Sequence, residues 1–463
     1  MSSNSKVSRS KQQHLKKYVK QCDSYCFFNL LTSPELLDTV EDLLPEHRER
    51  LFPPTETLSM FLAQALDQDR SCQKVVNDAA VKRLVGGLSS CSAHTGGYCR
   101  ARQRLPLTMV SSLTRHTGQL IDSQVPDQWR WQGRPVRLID GTTVSMPDTL
   151  ENQTAYPQQA SQKPGLGFPI CRLVGVICLS SGALLDAAMG QYQGKGASEI
   201  NLLRSMLDTF NSGDLVLGDA LFGTYFFLAS LLEKGVDAVF EQMGPRKRIT
   251  DFRKGKRLGS KDHLLELRKP KIKPGWMTKE QYDSAPKSLT IRELKTGGKV
   301  LITTLVSVKE ASKKRLKALY KDRWHVEVDL RNIKTTLGMG ILSCKTPQMC
   351  EKEIWIYFLA HNLVRLLMAQ AAMLGNLLPR QISFKHTVQL WLAWSQKTTA
   401  LDIENAEEDL FILIAQVRVG NRPGRIEPRA MKRRPKPFPW LKKPREEARA
   451  EVREKGHQKI RAA

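Results

Sequence analysis

Residues 320–334, YKDRWHVEVDLRNIK, decide how the rest of the chain is read. At about 100° per residue, Arg323, Trp324, Glu327, Arg331 and Lys334 all fall within roughly 60° of Tyr320 on one helix face. The other acids, Asp322 and Asp329, point the opposite way. The stripe therefore holds one carboxylate among three cations and two aromatic rings. An intrahelical Arg323 to Glu327 pair is the plain reason for such a carboxylate, worth only a few tenths of a kcal/mol.

Working outward, two other carboxylates give Glu327 a second reason. Asp140 closes the apolar run VRLID, and Asp219 closes LVLGD. Each is expected where a strand leaves a sheet, and open α/β sheets build their sites at such ends. Three carboxylates meeting there repel one another unless a cation joins them, and hard oxygen donors suit Mg²⁺ or Mn²⁺. Two ions about 3.5–4 Å apart activate a water or a 3′-hydroxyl and stabilise the leaving oxygen of a phosphodiester. Arg323, Arg331 and Lys334 would grip phosphates beside that centre, and Tyr320 and Trp324 would stack on an unpaired base.

The whole composition points the same way. The chain has 463 residues and 72 Lys plus Arg against 46 Asp plus Glu, a net charge of +26. Such a balance favours a polyanionic partner. At 41% apolar residues the chain can fill real cores. The best membrane candidate, Ile354 to Met368, is broken by His361, Asn362 and Arg365, so no membrane span is expected. The opening MSSNSKVSRSKQQ lacks a signal-type apolar run, so a cytoplasmic protein is expected. The nine cysteines, with close pairs Cys22/Cys26, Cys171/Cys178 and Cys344/Cys350, match neither a disulfide framework nor a zinc site.

The segments order themselves around this chemistry. From Ser33 to about Thr117 the apolar spacing is helical, with Ser71 to Val85 the best capped helix and Arg100, Arg102 and Arg104 on a candidate phosphate-contacting edge. From Pro135 to Gln242 the order is β-β-β-α-β-α-β, the pattern of a mixed α/β sheet with helices on its faces. Residues 246–273 carry twelve basic and three acidic side chains, followed by a strand pair around Gly297-Gly298. A long helix is expected from near Ala311 to about Gly338, then two apolar helices, about Glu351 to Leu374 and Phe384 to Ser395. The last 47 residues hold sixteen basic and five acidic side chains with six prolines, a composition of disordered type.

The spacing Tyr320-x2-Arg323-x3-Glu327-x6-Lys334 resembles the Y-R-E-K signature of bacterial insertion-sequence transposases of the DDE class, which carry a β-rich insertion between the second Asp and the Glu. Four fixed residues arise by chance in such a chain at odds of ~0.3%. Asp140 in IDGTTVSMPDT and Asp219 in LVLGDALFGTYFF resemble the first and second acidic motifs, and residues 69–106 the amino-terminal helical region. The resemblance covers most of residues 50–375.

It implies a ribonuclease H-like core in which Asp140, Asp219 and Glu327 bind two divalent metals and perform cut-and-paste transposition. Tyr320, Arg323 and Lys334 would contact phosphates, with Trp324 beside a flipped base and Trp276 a second stacking candidate or a hydrophobic plug. The implied parts are a helical DNA-binding region (1–125), the first part of the core (126–242), a basic β-rich insertion (243–309), the second part of the core (310–375), a helical region (376–416) and a basic tail (417–463). Partners would be double-stranded DNA at terminal inverted repeats and target, and a second copy of the chain.

Several residues read as structural instead. Asp148 lies in a loop, Asp186 within a strand and Asp214 at the strand end away from Asp219, while His325 and His361 lack partners at ligand spacing. No GKS or GKT loop is present, so ATP use is not expected. The rival readings are a catalytically silent DNA binder, as a relic or an inhibitor, and a nuclease that cuts without joining.

Overall fold

The computed structural model describes residues 42–43, 51–85, 87, 92–194, 197–244, 246, 250–397, 403–420 and 441–456. The amino-terminal segment 1–41, with Cys22 and Cys26, and the tail stretches 421–440 and 457–463 lie outside the described residues. The six described cysteines are all free thiols.

Four helices come first: α1 (Pro54–Leu66), α2 (Cys72–Val85), α3 (Gly96–Arg104) and α4 (Leu107–Ser123). Ser71 caps α2, its Oγ accepting the Lys74 amide at 3.1 Å. The expected phosphate-contacting edge on α3 needs correction. Arg102 is buried, its guanidinium lying over the Phe61 and Tyr98 rings and donating to Gln64, and only Arg100 and Arg104 face outward.

The core elements are β1 (Val136–Ser145), α5 (Leu150–Ala155), β2 (Ile170–Cys178), β3 (Leu184–Gln191), α6 (Glu199–Arg204), β4 (Leu215–Gly218), α7 (Tyr225–Glu233) and β5 (Asp237–Glu241). β1, β2 and β3 are antiparallel neighbours, and Gly182 makes the last turn at φ +80°. β4 and β5 join in parallel, and β4 is buried on both faces, as a central parallel strand must be.

The basic segment adds β6 (Lys256–Gly259), β7 (Asp262–Arg268), α8 (Lys279–Ser284), β8 (Ser288–Thr296) and β9 (Lys299–Thr303). Gly297 and Gly298, both with positive φ, form the two-residue hairpin turn between β8 and β9. β9 then pairs antiparallel with β5, so these strands extend the core sheet to nine strands in the order β3-β2-β1-β4-β5-β9-β8-β7-β6. The mixed α/β architecture expected from the sequence is thus present.

Two helices and a wide turn follow: α9 (Lys313–Asp322), α10 (Trp324–Arg331) and a π-helical turn, Asn332–Thr336. The long helix expected here is therefore interrupted at Arg323 and widened after Arg331, where the Leu337 amide reaches back to the Asn332 carbonyl at 2.9 Å. Last come α11 (Pro347–Leu374), α12 (Phe384–Lys397), α13 (Ile403–Gln416) and α14 (Arg445–Lys455). In the tail expected to lack order, α14 forms because Glu446 and Glu447 sit in its first turn and Arg453 and Lys455 in its last, matching the helix dipole.

Alternation along the strands makes two cores. Leu138, Val144, Leu215 and Leu217 face one side, with α9 to α11, whereas Ile139 and Val216 face the other, with α6 and α7. α11 is long and apolar enough to cross a membrane, but 89% of its most apolar window is buried inside the protein, as in a central core helix. α4 packs on both α11 and β3. Asn362 of α11 fixes that junction by donating to the Thr114 and Leu184 carbonyls and accepting the Leu184 amide.

The junction admits no side chain at Gly118 of α4, where a Cβ would lie 2.1 Å from the Leu184 carbonyl oxygen. Gly118→Ala is expected to cost at least ~1–3 kcal/mol through overpacking. Urea denaturation measures it, and an unchanged midpoint would refute the constraint.

Candidate active site

The two aspartates are brought together by register. β1 and β4 run parallel with Leu138 opposite Leu217, so Asp140 and Asp219, each two residues further on, share the face that carries α9 and α10. β4 stops at Gly218 and leaves Asp219 just beyond its end, where Oδ1 accepts the Leu221 amide at 2.8 Å. Asp140 was expected at a strand end as well, but it sits in the middle of β1, which continues to Ser145 against β2. What ends just before Asp140, at Leu138, is the pairing with β4.

Glu327 comes to the same place on α10. Arg323 Nη2 donates to its Oε1 at 2.7 Å, and Arg323 Nη1 stands 3.8 Å from Asp140 Oδ2. One guanidinium therefore bridges the first and third carboxylates. Burial pushes the Asp140 carboxyl up to about 6. The charges of Asp219 and Glu327 add to this, against the Gly141 amide and Arg323. The three carboxylates are thus within electrostatic reach of one another.

Among the described residues, no three carboxylate, imidazole or thiol groups close on a single point tightly enough to hold an ion as they stand. Arg323 is the cation set against two of these carboxylates. The donor set itself, hard oxygens only, is of the chemical kind that suits Mg²⁺ or Mn²⁺.

The remaining stripe residues separate into two kinds. Tyr320 is buried and its hydroxyl donates to the Gly218 carbonyl at 3.2 Å, so it buttresses the end of β4; the expectation that it stacks on a base is corrected. Lys334, shifted by the π turn, donates to Thr142 Oγ1 at 3.1 Å, and burial lowers its pKa. Trp324 and Arg331 are exposed, Trp324 to 59%. Trp324 edges a cleft of about 190 Å³ with Lys299, Lys317, Lys321 and Arg323. Trp276 has one face covered by Arg204, 3.5 Å from the ring centroid, and meets Phe226 edge-on, so it is neither a sealed plug nor a bare platform.

The residues read as structural have partners. Asp186 pairs with Arg115, Asp214 with Arg137, and Asp148 accepts from Gln153. Burial lowers His325 to about 4 and His361 to about 3, and the His361 ring stacks on Phe384. The sequence reading overlooked Glu199, whose carboxyl lies against Gly141. An acid opening a short helix carries no signal of its own in one sequence.

Residues 131–363 match the family described as Transposase DDE domain. The chain is 27% identical over 407 residues to "Transposase InsG for insertion sequence element IS4" of Escherichia coli (strain K12), spanning 86% of this chain and 89% of that protein. It is 33% identical over 137 residues to "Putative transposase InsZ" of the same organism, spanning 29% and 45%. Among solved structures it aligns with a piggyBac transposase synaptic complex with hairpin DNA at 12% identity and a TM-score of 0.41, covering 87% and 86%.

The raised Asp140 pKa has a sign that can be tested. Folding favours the protonated carboxyl, so stability falls as pH rises from about 4 through about 6, by up to ~3 kcal/mol for a two-unit shift. Asp140→Asn is expected to raise the melting temperature of the metal-free protein above pH 6, with the gain shrinking as pH falls toward 4. Scanning calorimetry at pH 8 and pH 5 reads it; a loss of stability at pH 8 would contradict the assigned strain.

Proposed function

The chain belongs to the Transposase DDE domain family, as a transposase of the insertion-sequence kind, and from this premise we propose that it performs cut-and-paste transposition. It hydrolyses DNA at the ends of its element and joins the freed 3′-hydroxyl to target DNA. One observation carries the reading: Asp140 and Asp219 share a sheet face where a parallel strand pair ends, and the helix bearing Glu327 lies over that face.

Asp140, Asp219 and Glu327 are the residues that would hold two Mg²⁺ ions, or Mn²⁺. When bound, these supply an activated water or 3′-hydroxyl and neutralise the leaving oxygen. Arg323 turns from its two carboxylates to a phosphate near the cleaved end, and Lys334 and the exposed Arg331 take neighbouring phosphates. Trp324 stacks on the base displaced into the cleft beside it. Two element ends have to be held together, so the working unit is at least a dimer on double-stranded DNA with terminal inverted repeats, in the bacterial cytoplasm at the nucleoid. Residues 1–125 serve DNA binding, 126–242 and 310–375 form the catalytic core, 243–309 line the DNA path, 376–416 bear contacts between subunits, and the tail, 417–463, adds salt-sensitive nonspecific affinity.

Purified protein is expected to nick a terminal repeat only with Mg²⁺ or Mn²⁺ and to join pre-nicked ends to target DNA. Asp219→Ala and Glu327→Ala should each lower nicking at least ~100-fold, the loss of several kcal/mol of charge stabilisation, while gel-shift affinity persists. Binding without nicking by the parent protein would leave a silent DNA binder, and nicking without joining a nuclease. Trp324→Ala should weaken binding to ends with an unpaired base by about 1–3 kcal/mol, and to fully paired duplex hardly at all.

A further inference from the structure

Asp329 lies two residues beyond Glu327, about 200° round the helix, and so leaves α10 on the opposite face. It is fully buried there, and two guanidiniums hold its carboxylate. Arg365 of α11 donates to Oδ1, and Arg380 Nη1 donates to Oδ2 at 2.6 Å. Arg380 gives two further donors to the end of β2 and the turn after it, Nε to the Leu179 carbonyl at 2.8 Å and Nη2 to the Cys178 carbonyl at 3.1 Å. Arg365 closes on the other end of that turn, where a Cβ at Gly182 would fall 2.7 Å from its guanidinium carbon. His361, one turn before Arg365 on α11, meets the Gly182 carbonyl at 2.9 Å.

These contacts complete a ring. β2 runs beside β1 with Gly175 opposite Asp140 and Cys178 opposite Arg137. From Asp140 the path crosses to β2, follows it to the Cys178 and Leu179 carbonyls, passes through Arg380 to Asp329, and returns along α10 through Glu327 and Arg323. The apolar residues of α10, Val326 and Leu330, share a core with Leu138 and Leu217, but apolar contact has no direction and leaves the rotation of a helix loosely set. A carboxylate gripped by two guanidiniums does have direction. Stability alone does not explain the cluster, because Arg365 Nε is buried without a partner and apolar side chains of similar volume would serve the fold as well or better.

We propose that Asp329 is a positioning residue for Glu327: gripped by Arg365 and Arg380, it sets the rotation of α10 against the end of β2, and with it the place at which Glu327 faces Asp140. The inference rests on Glu327 being one of the catalytic acids and deepens that reading.

The test is a full chain with the three side chains made apolar together, Asp329→Leu with Arg365→Met and Arg380→Met, which keeps the volume and removes the direction. It should melt at or above the temperature of the parent. Its α10 amides should nonetheless exchange with deuterium about tenfold faster or more, read by mass spectrometry. In the same variant kcat for nicking a terminal repeat should fall at least ~10-fold with KM for DNA unchanged. Among single variants, Arg380→Lys should keep part of the kcat that Arg380→Met loses, since the ammonium leaves a cation beside Asp329. Both single changes spare the Asp329 to Arg365 pair, so they decide the matter where the triple variant does not fold. Parent-like exchange or parent-like kcat in the folded triple variant overturns the proposal, as does parent-like kcat in Arg380→Met, and the cluster is then only structural. Exchange is read without DNA, so it decides the hold on α10 even where the parent fails to nick, a result that would sink the transposition reading alone.

Discussion

Like charges gathered at a half-buried edge are the constraint around which this molecule is arranged. Burial, with the charges of Asp219 and Glu327 beside it, disfavours the Asp140 anion, and among the described residues one guanidinium, Arg323, pairs with both Asp140 and Glu327. A stable protein would replace such a cluster with apolar side chains, because burying charge costs more than a bridge returns. That it persists on the sheet marks an arrangement kept for function rather than for stability.

Holding that strain requires a stiff scaffold behind it. α10 presents Glu327 on one face and Asp329 on the other. Asp329 is fully buried between Arg365 of α11 and Arg380, whose Nη1 donates to it at 2.6 Å. Burial alone would raise the Asp329 pKa, yet the two guanidiniums outweigh it and hold the carboxyl below its usual range. One helix thus carries a carboxylate locked by two cations and another that shares Arg323 with Asp140. The first fixes the rotation of the helix, so the second meets Asp140 at a set position.

The parts legible in the sequence were those that depend on period. Short apolar runs closed by an acid, VRLID and LVLGD, placed Asp140 and Asp219 on comparable strands, and the helical period selected Glu327 over Asp322 and Asp329. Period could not reveal that β1 runs on past Asp140, because that depends on β2 pairing with residues 141–145 far along the chain. Nor could it show the widened turn at 332–336, which moves Lys334 off the ideal wheel and onto Thr142. Burial of Tyr320 and Arg102 was equally hidden, since an aromatic ring or an arginine reads alike as surface or core until its neighbours are known. The placing of Glu199 against Gly141 was hidden too, since it brings together residues far apart in the chain.

The inserted strands decide how chemistry and grip are coupled. Because β9 pairs with β5, the basic segment is hydrogen-bonded into the catalytic sheet. Lys299 at the start of β9 pairs with Glu241 at 2.7 Å and lies over the Tyr320 ring, so the insertion and the α9 helix share one rim of the Trp324 cleft. On the other side, Arg70 of the amino-terminal helices lies over Gly338, whose missing Cβ would stand 2.0 Å from the guanidinium carbon. Contacts from both flanks thus converge on residues 320–338. A hinge at either place would scatter residues 320–338 relative to Asp140 and Asp219. Continuity of the sheet on one side and a glycine-deep contact on the other hold residues 320–338 and the two aspartates in one frame.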